Sequence, residues 1–176
     1  ANLFLKNMLN VLVGAHGTGK STLLRELKGK VPYYVTDGFS RPISESFKGY
    51  GFEDEKDFHQ DLINMISEWA WDNYLDQNVI SARSLVDVIV YSKYFFPDWN
   101  YELVIAKFQE SKEKVNFFYI PIEFDLSEDG VRFSDKKQQV EINRLLKLFL
   151  EDQGINFITL SGSIEKRLVQ LKSNLK

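Results

Sequence analysis

The sequence of 176 residues predicts an α/β fold in three layers: a five-stranded, mostly parallel sheet with helices on both faces. Three observations predict it. Short β-prone runs alternate with amphipathic stretches, the order that parallel strands joined by crossover helices require. The first such run, Leu9 to Val13, leads directly into Gly14-Ala-His-Gly-Thr-Gly-Lys-Ser21 and then into a helical pattern. Hydrophobic residues make up 44% and charged residues 27%, with no repeat, low-complexity tract or linker, which fits one domain over residues 1–176.

The elements follow in order. After the strand at 9–13, a helix runs from Lys20 to about Lys28, and Val31 to Thr36 reads as a second strand. Asp37-Gly-Phe-Ser-Arg-Pro-Ile43 opens a loop punctuated by glycine and proline. Glu53 to Gln77 is helical, with Phe58, Leu62, Met65 and Trp69 recurring on one face and acidic residues in the first turn. Asn78 to Ala82 is a third strand. Leu85 to Tyr91 is rich in β-branched residues, yet a strand there would follow the third with no turn between them. Ser84 as N-cap and Asp87 three residues later make it a helix. Val115 to Ile122 is the fourth strand. Ser134 to Asp152 is an amphipathic helix with Val140, Ile142, Leu145, Leu146, Phe149 and Leu150 as its apolar residues. Gly154 caps it, Ile155 to Leu160 forms the fifth strand, and Ser163 opens a last helix through Leu168 and Leu171.

Composition excludes several function classes. The formal charge of −3 and pI of about 5.5, without any basic block, argue against a nucleic-acid or anionic-membrane surface. Zero cysteines remove disulfides and thiolate metal sites and fit a cytoplasmic setting. No secretory-type segment and no apolar stretch of membrane-spanning length is present, so no membrane partner is expected. Two histidines, His16 and His59, leave little for a histidine-based metal centre. The oligomeric state is left open by Tyr94-Phe-Phe-Pro-Asp-Trp99, which suits an interface or a core edge equally.

The glycine-rich segment carries the chemistry. G-x-x-x-x-G-K-[ST] between a strand and a helix is a phosphate-binding P-loop. Its glycines let successive N–H groups turn inward as an anion nest, and the following helix adds the positive end of its dipole. Gly14, Ala15, His16, Gly17, Thr18, Gly19, Lys20, Ser21 and Thr22 are therefore the ATP-binding candidates. Lys20 can reach the β- and γ-phosphates, and the Ser21 hydroxyl can ligate Mg²⁺ arriving with the nucleotide.

Polar residues after the other strands are weighed against ordinary structural roles. Asp37 can orient or deprotonate an acceptor hydroxyl, with Arg41 beside it, or it can simply form the turn before Gly38. Arg83 can neutralise a transferring phosphate or pair with Asp87 at i, i+4. Between the fourth strand and the long helix, residues 124–136 suit a lid that closes over phosphates with Arg132 as its charge, or an acidic surface loop balancing that arginine. Phe39, Phe47, Tyr50 and Phe52 are rings available to stack an acceptor base, or core residues.

On Gly14 to Thr22, Asp37…Arg41, Arg83-Ser-Leu-Val-Asp87…Tyr91 and Glu128-Asp-Gly-Val-Arg132, the chain resembles a family over nearly its whole length. The family is the small P-loop kinases grouped with the ribosylnicotinamide kinase domain of bifunctional NAD-salvage proteins. The resemblance implies a P-loop kinase fold, adenine as the base, and Arg132 as a phosphate-contacting lid residue. It also implies Asp37, Arg41, Arg83 and Asp87 on the acceptor side. The implied reaction is ATP-dependent phosphorylation of a small nucleoside- or nucleotide-like acceptor. Examples are nicotinamide riboside, a (deoxy)nucleoside or its monophosphate. Two departures stand out. Ala82 occupies the place of an acidic residue, and Asp37 lies four residues before its arginine instead of three.

Two other readings remain. A nucleotide-driven ATPase or switch would want an acid ending the third strand, where Ser81-Ala82-Arg83 stands, and a guanine-specific Asn-Lys-x-Asp is missing. A kinase acting on a modified base within DNA fits the chemistry but not the acidic charge.

Overall fold

The computed structural model describes residues 7–37, 65, 67–123 and 135–176. Strands β1 (Leu9–Val13), β2 (Tyr34–Thr36), β3 (Val79–Ser81), β4 (Val115–Tyr119) and β5 (Ile158–Thr159) form one sheet in the order β2-β3-β1-β4-β5. Every pairing is parallel, with Leu9 opposite Val79 on one side and Val115 on the other. All five residues of β1 are buried, as a central parallel strand covered on both faces demands.

Helices cover both faces. The described ones are α1 (Lys20–Leu27), α2 (67–74), α3 (Leu85–Phe95), α4 (Glu102–Ser111), α5 (Asp135–Asp152) and α6 (Ile164–Asn174), with a 3₁₀ turn at Lys112–Lys114. Leu9, Val11 and Val13 pack with Ile89 of α3, Phe108 of α4 and Ile142, Leu146 and Leu150 of α5. Leu12 points the other way, among Leu23, Leu24 and Leu27 of α1 and Leu171 of α6. The period-two alternation of one strand thus separates two cores. The fold class expected from the sequence is the one observed.

Local chemistry explains the element starts. Ser84 Oγ accepts from Val86 N–H at 3.1 Å, and Asp87 Oδ2 accepts from Ser84 N–H at 3.0 Å, a complete capping box. It fixes the β-branched Leu85–Val90 run as helix, and burial on nearly every side makes that composition tolerable.

Several expectations need correction. The second strand covers only Tyr34–Thr36, and the fifth only Ile158–Thr159. The fourth ends at Tyr119, although Ile120 N–H still donates to Val13 O at 2.8 Å before Pro121, which has no N–H to continue the ladder. In α2 the expected apolar face is the wrong one. Met65 and Trp69 are 61% and 67% exposed, while Ser67, Ala70 and Trp71 turn inward. Trp71 Nε1 donates to Ser111 Oγ at 2.7 Å, so the inward face carries a serine and an alanine that look like surface residues in sequence. The expected first part of that helix, with Phe58 and Leu62, lies outside the described residues. Val140 is half exposed and not part of the core face of α5. Helix α4 was not anticipated at all.

Candidate functional site

The site is built where β1 runs out. An added Cβ at Gly14 would stand 2.9 Å from Thr18 Oγ1 and 3.1 Å from Ile120 O, so only glycine lets the loop leave between β1 and the segment after β4. Gly17 and Gly19 take φ of 74° and 93°, the left-handed region that turns the chain around a cup and into α1. Thr18 Oγ1 donates to Ala15 O at 2.8 Å and closes the cup across its base. Among the described residues, the N–H groups of Gly17, Thr18 and Gly19 have no protein acceptor. That is the arrangement an anion needs.

Lys20 folds back over the loop. Its Nζ donates to Gly14 O and, at 2.7 Å, to Ala15 O. Burial lowers its pKa to about 8; Arg83 pushes the same way and Asp87 opposes both. Burial raises the Asp87 carboxyl, against the pull of Lys20, Arg83 and its backbone donors. The structure therefore joins Arg83 and Asp87, singled out in the sequence, to Lys20 as one charge group. The buried carboxylate near the lysine comes from α3, not from the third strand, where Ala82 stands.

Ser21 and Asp37 line one cleft of about 450 Å³ with Arg25 of α1, Lys28 just after it, and Tyr34 and Thr36 of β2. Asp37 is exposed at the end of β2. Arg41, Arg132 with the expected lid up to residue 134, and the ring candidates Phe39, Phe47, Tyr50 and Phe52 lie outside the described residues.

Four residues touch the loop; Asn143, Gln139 and Arg167 were missed, while Tyr91 stands in the motif already quoted. Asn143 Oδ1 accepts from Ala15 N–H at 2.7 Å, while its Nδ2 donates to Tyr119 Oη at 2.8 Å. Gln139 Nε2 donates to His16 O at 2.8 Å. Tyr91 Oη accepts from His16 N–H at 3.2 Å, and burial pushes its own pKa up to about 12. Arg167, 1% exposed, donates through Nη1 to Thr18 O at 3.0 Å and through Nη2 to Glu123 at 2.9 Å. One signal was available: Gln139 and Asn143 share with Ile142, Leu146 and Leu150 the inward face of α5, where polar side chains need a reason.

A family model described as an AAA domain matches residues 9–167. The chain belongs to this AAA-domain family. The matched span runs from β1 into α6 and includes both the P-loop and its supports. Solved structures share the fold of this AAA-domain protein at low identity. The YorR protein from Bacillus subtilis, in complex with phosphorylated GDP, is 19% identical over 94% of both chains, with TM-score 0.61. The NadR protein in complex with NR is 17% identical with TM-score 0.71; 96% of this AAA-domain protein aligns, and it spans about half (52%) of that chain. Deoxyadenosine kinase from M. mycoides with bound dATP is 15% identical over 96% and 99% of the two chains, with TM-score 0.62. No curated protein matches the sequence.

Proposed function

We propose that this protein transfers the terminal phosphoryl group of ATP to a hydroxyl of a small nucleoside- or nucleotide-like acceptor. The observation that carries this reading is the shared cleft of Ser21 and Asp37, which begins beside the phosphate nest. A phosphate end, a hydroxyl suited to a metal and a carboxylate suited to an acceptor are what in-line transfer needs.

In this reading the nest and Lys20 hold the β- and γ-phosphates, and Asp37 orients the acceptor hydroxyl and takes its proton. Arg83 and Arg41 bind on the acceptor side together with Asp87, and Arg132 neutralises the transferring group. Mg²⁺ fits the donor set. Among the described residues no group of three or more His, Cys, Asp or Glu side chains forms a cage, so the ion would be held by Ser21, phosphate oxygens and water, with Asp37 near. When bound it supplies charge neutralisation on the β- and γ-oxygens. Named structural neighbours support the acceptor class: NadR is solved with NR, and thymidylate and deoxyadenosine kinases share the fold. Among the described residues no helix is long and apolar enough to cross a membrane. The cytoplasm is the compartment this reading assigns.

The test is ADP release from ATP·Mg²⁺ with and without a panel of nicotinamide riboside, (deoxy)nucleosides and their monophosphates. Release that depends on one acceptor supports the kinase. Hydrolysis indifferent to every acceptor replaces it with an ATPase or switch.

A further inference from the structure

We propose that Gln139 and Arg167 are positioning residues of the phosphate nest. They grip alternate carbonyls of the loop from outside, and thereby aim the Gly17 and Gly19 amides at the phosphates.

The argument starts from the peptide plane. In a trans peptide, C=O of one residue and N–H of the next point in opposite directions. Gln139 Nε2 draws the His16 carbonyl toward α5 at 2.8 Å, so the N–H of Gly17 faces away from α5. Arg167 Nη1 draws the Thr18 carbonyl toward α6 at 3.0 Å, so the N–H of Gly19 faces away from α6. Both are loop amides with no protein acceptor among the described residues. Asn143 acts in the opposite sense. It takes the Ala15 N–H at 2.7 Å, which leaves the Gly14 carbonyl turned back toward Lys20 Nζ. The positive φ values of Gly17 and Gly19 give both peptides the freedom to be set this way.

The state of Gln139 says why it is there. Its side chain is fully buried, and among the described residues its Oε1 has no hydrogen-bond partner. A buried amide satisfied on one side only is a poor contributor to stability, and leucine would fill the same space without an orphaned acceptor. What the amide supplies is its donor to His16. Arg167 is fixed just as tightly: Nε donates to Gly162 O at 3.1 Å and Nη2 to Glu123 Oε2 at 2.9 Å, which aims the remaining arm at the loop. Donors locked in this manner present a preorganised anion site that need not rearrange on binding.

This inference rests on the proposed function only in taking a phosphate chain as the loop's occupant; it needs no acceptor. Its test uses inorganic tripolyphosphate and titration calorimetry on the full chain. Gln139→Leu is expected to keep or raise the ligand-free melting temperature while weakening tripolyphosphate about tenfold, which is about 1.4 kcal/mol. Gln139→Glu separates positioning from packing. A carboxyl buried there is protonated as the pH falls and regains a donor for His16 O. The affinity gap between this variant and wild type should therefore close from pH 8 to pH 5.5, whereas the gap for Gln139→Leu stays constant. Wild-type affinity in the leucine variant, or a glutamate gap that ignores pH, overturns the proposal. So does a wild-type chain that does not bind tripolyphosphate. Loss of acceptor-dependent ADP release with tripolyphosphate binding intact removes the kinase reading and leaves this one standing.

Discussion

Gly14 and Ile120 meet so closely that a Cβ on the glycine would lie 3.1 Å from the isoleucine carbonyl oxygen and 3.3 Å from its Cβ. The start of the phosphate loop is thus wedged against the chain leaving β4. The third neighbour, Thr18 Oγ1, would be 2.9 Å away and is tied to Ala15 O, so it cannot swing aside without opening the cup. Gly14→Ala is expected to weaken ATP at least about tenfold and to cost about 1–3 kcal/mol of stability by overpacking. Calorimetric titration and denaturant unfolding read the two effects separately.

Asp37 makes the opposite kind of prediction, because it is exposed and lines the cleft without supporting the loop. Asp37→Asn should leave ATP affinity and stability within about 0.5 kcal/mol of wild type. Acceptor-dependent turnover should fall by about 10²–10⁴, the usual contribution of a general base. Undiminished kcat would make Asp37 a turn residue.

The pH dependence of Lys20 has two signs. Its pKa of about 8 in the free fold lies below its ordinary 10.5, and bound phosphate favours the ammonium. Above pH 8 binding must first restore a proton, so the Kd for ATP should rise about tenfold per pH unit. The ligand-free fold behaves in reverse. Between about 8 and 10.5 the unfolded chain holds the proton that the folded chain has lost, so this group adds stability as the pH rises. Lys20→Met should flatten both profiles, in isothermal titration and in melting temperature against pH.

Far from the site, Asn10 ties the end of the chain to the sheet. It is fully buried on β1, donates to Lys176 O at 2.8 Å and accepts from Asn116 Nδ2 at 2.8 Å and Lys176 N–H at 3.1 Å. Asn10→Ala removes these bonds, but Lys176 is exposed and Asn116 Nδ2 keeps Asn174 O at 2.9 Å, so the loss should be about 1–2 kcal/mol. Denaturant midpoints should show the loss, and nucleotide affinity should not.

Much of the fold is written locally. Alternating runs, the Ser84–Asp87 capping box and the glycines of the loop each act over a few residues, so their meaning survives reading in isolation. The failures share a cause. Trp71, not Trp69, is the core tryptophan of α2, because a serine on α4 receives its indole N–H, a contact 40 residues away. Helix α4 itself has Val104 and Phe108 buried in a stretch whose periodicity is too weak to announce it.

The sequence alone determined that a strand, a phosphate cup and a helix follow one another, since backbone freedom at glycine and short-range hydrogen bonding decide that. It also determined the α/β class through the alternation of its elements. Only the tertiary structure decided what holds the cup in shape and what charge surrounds Lys20. Asn143 reaches Ala15 across 128 positions, and Arg167 reaches Thr18 across 149. Such partners are chosen by the packing of α5 and α6 against opposite faces of the sheet. A buried polar side chain finds its acceptor in three dimensions, and no spacing along the chain encodes which one.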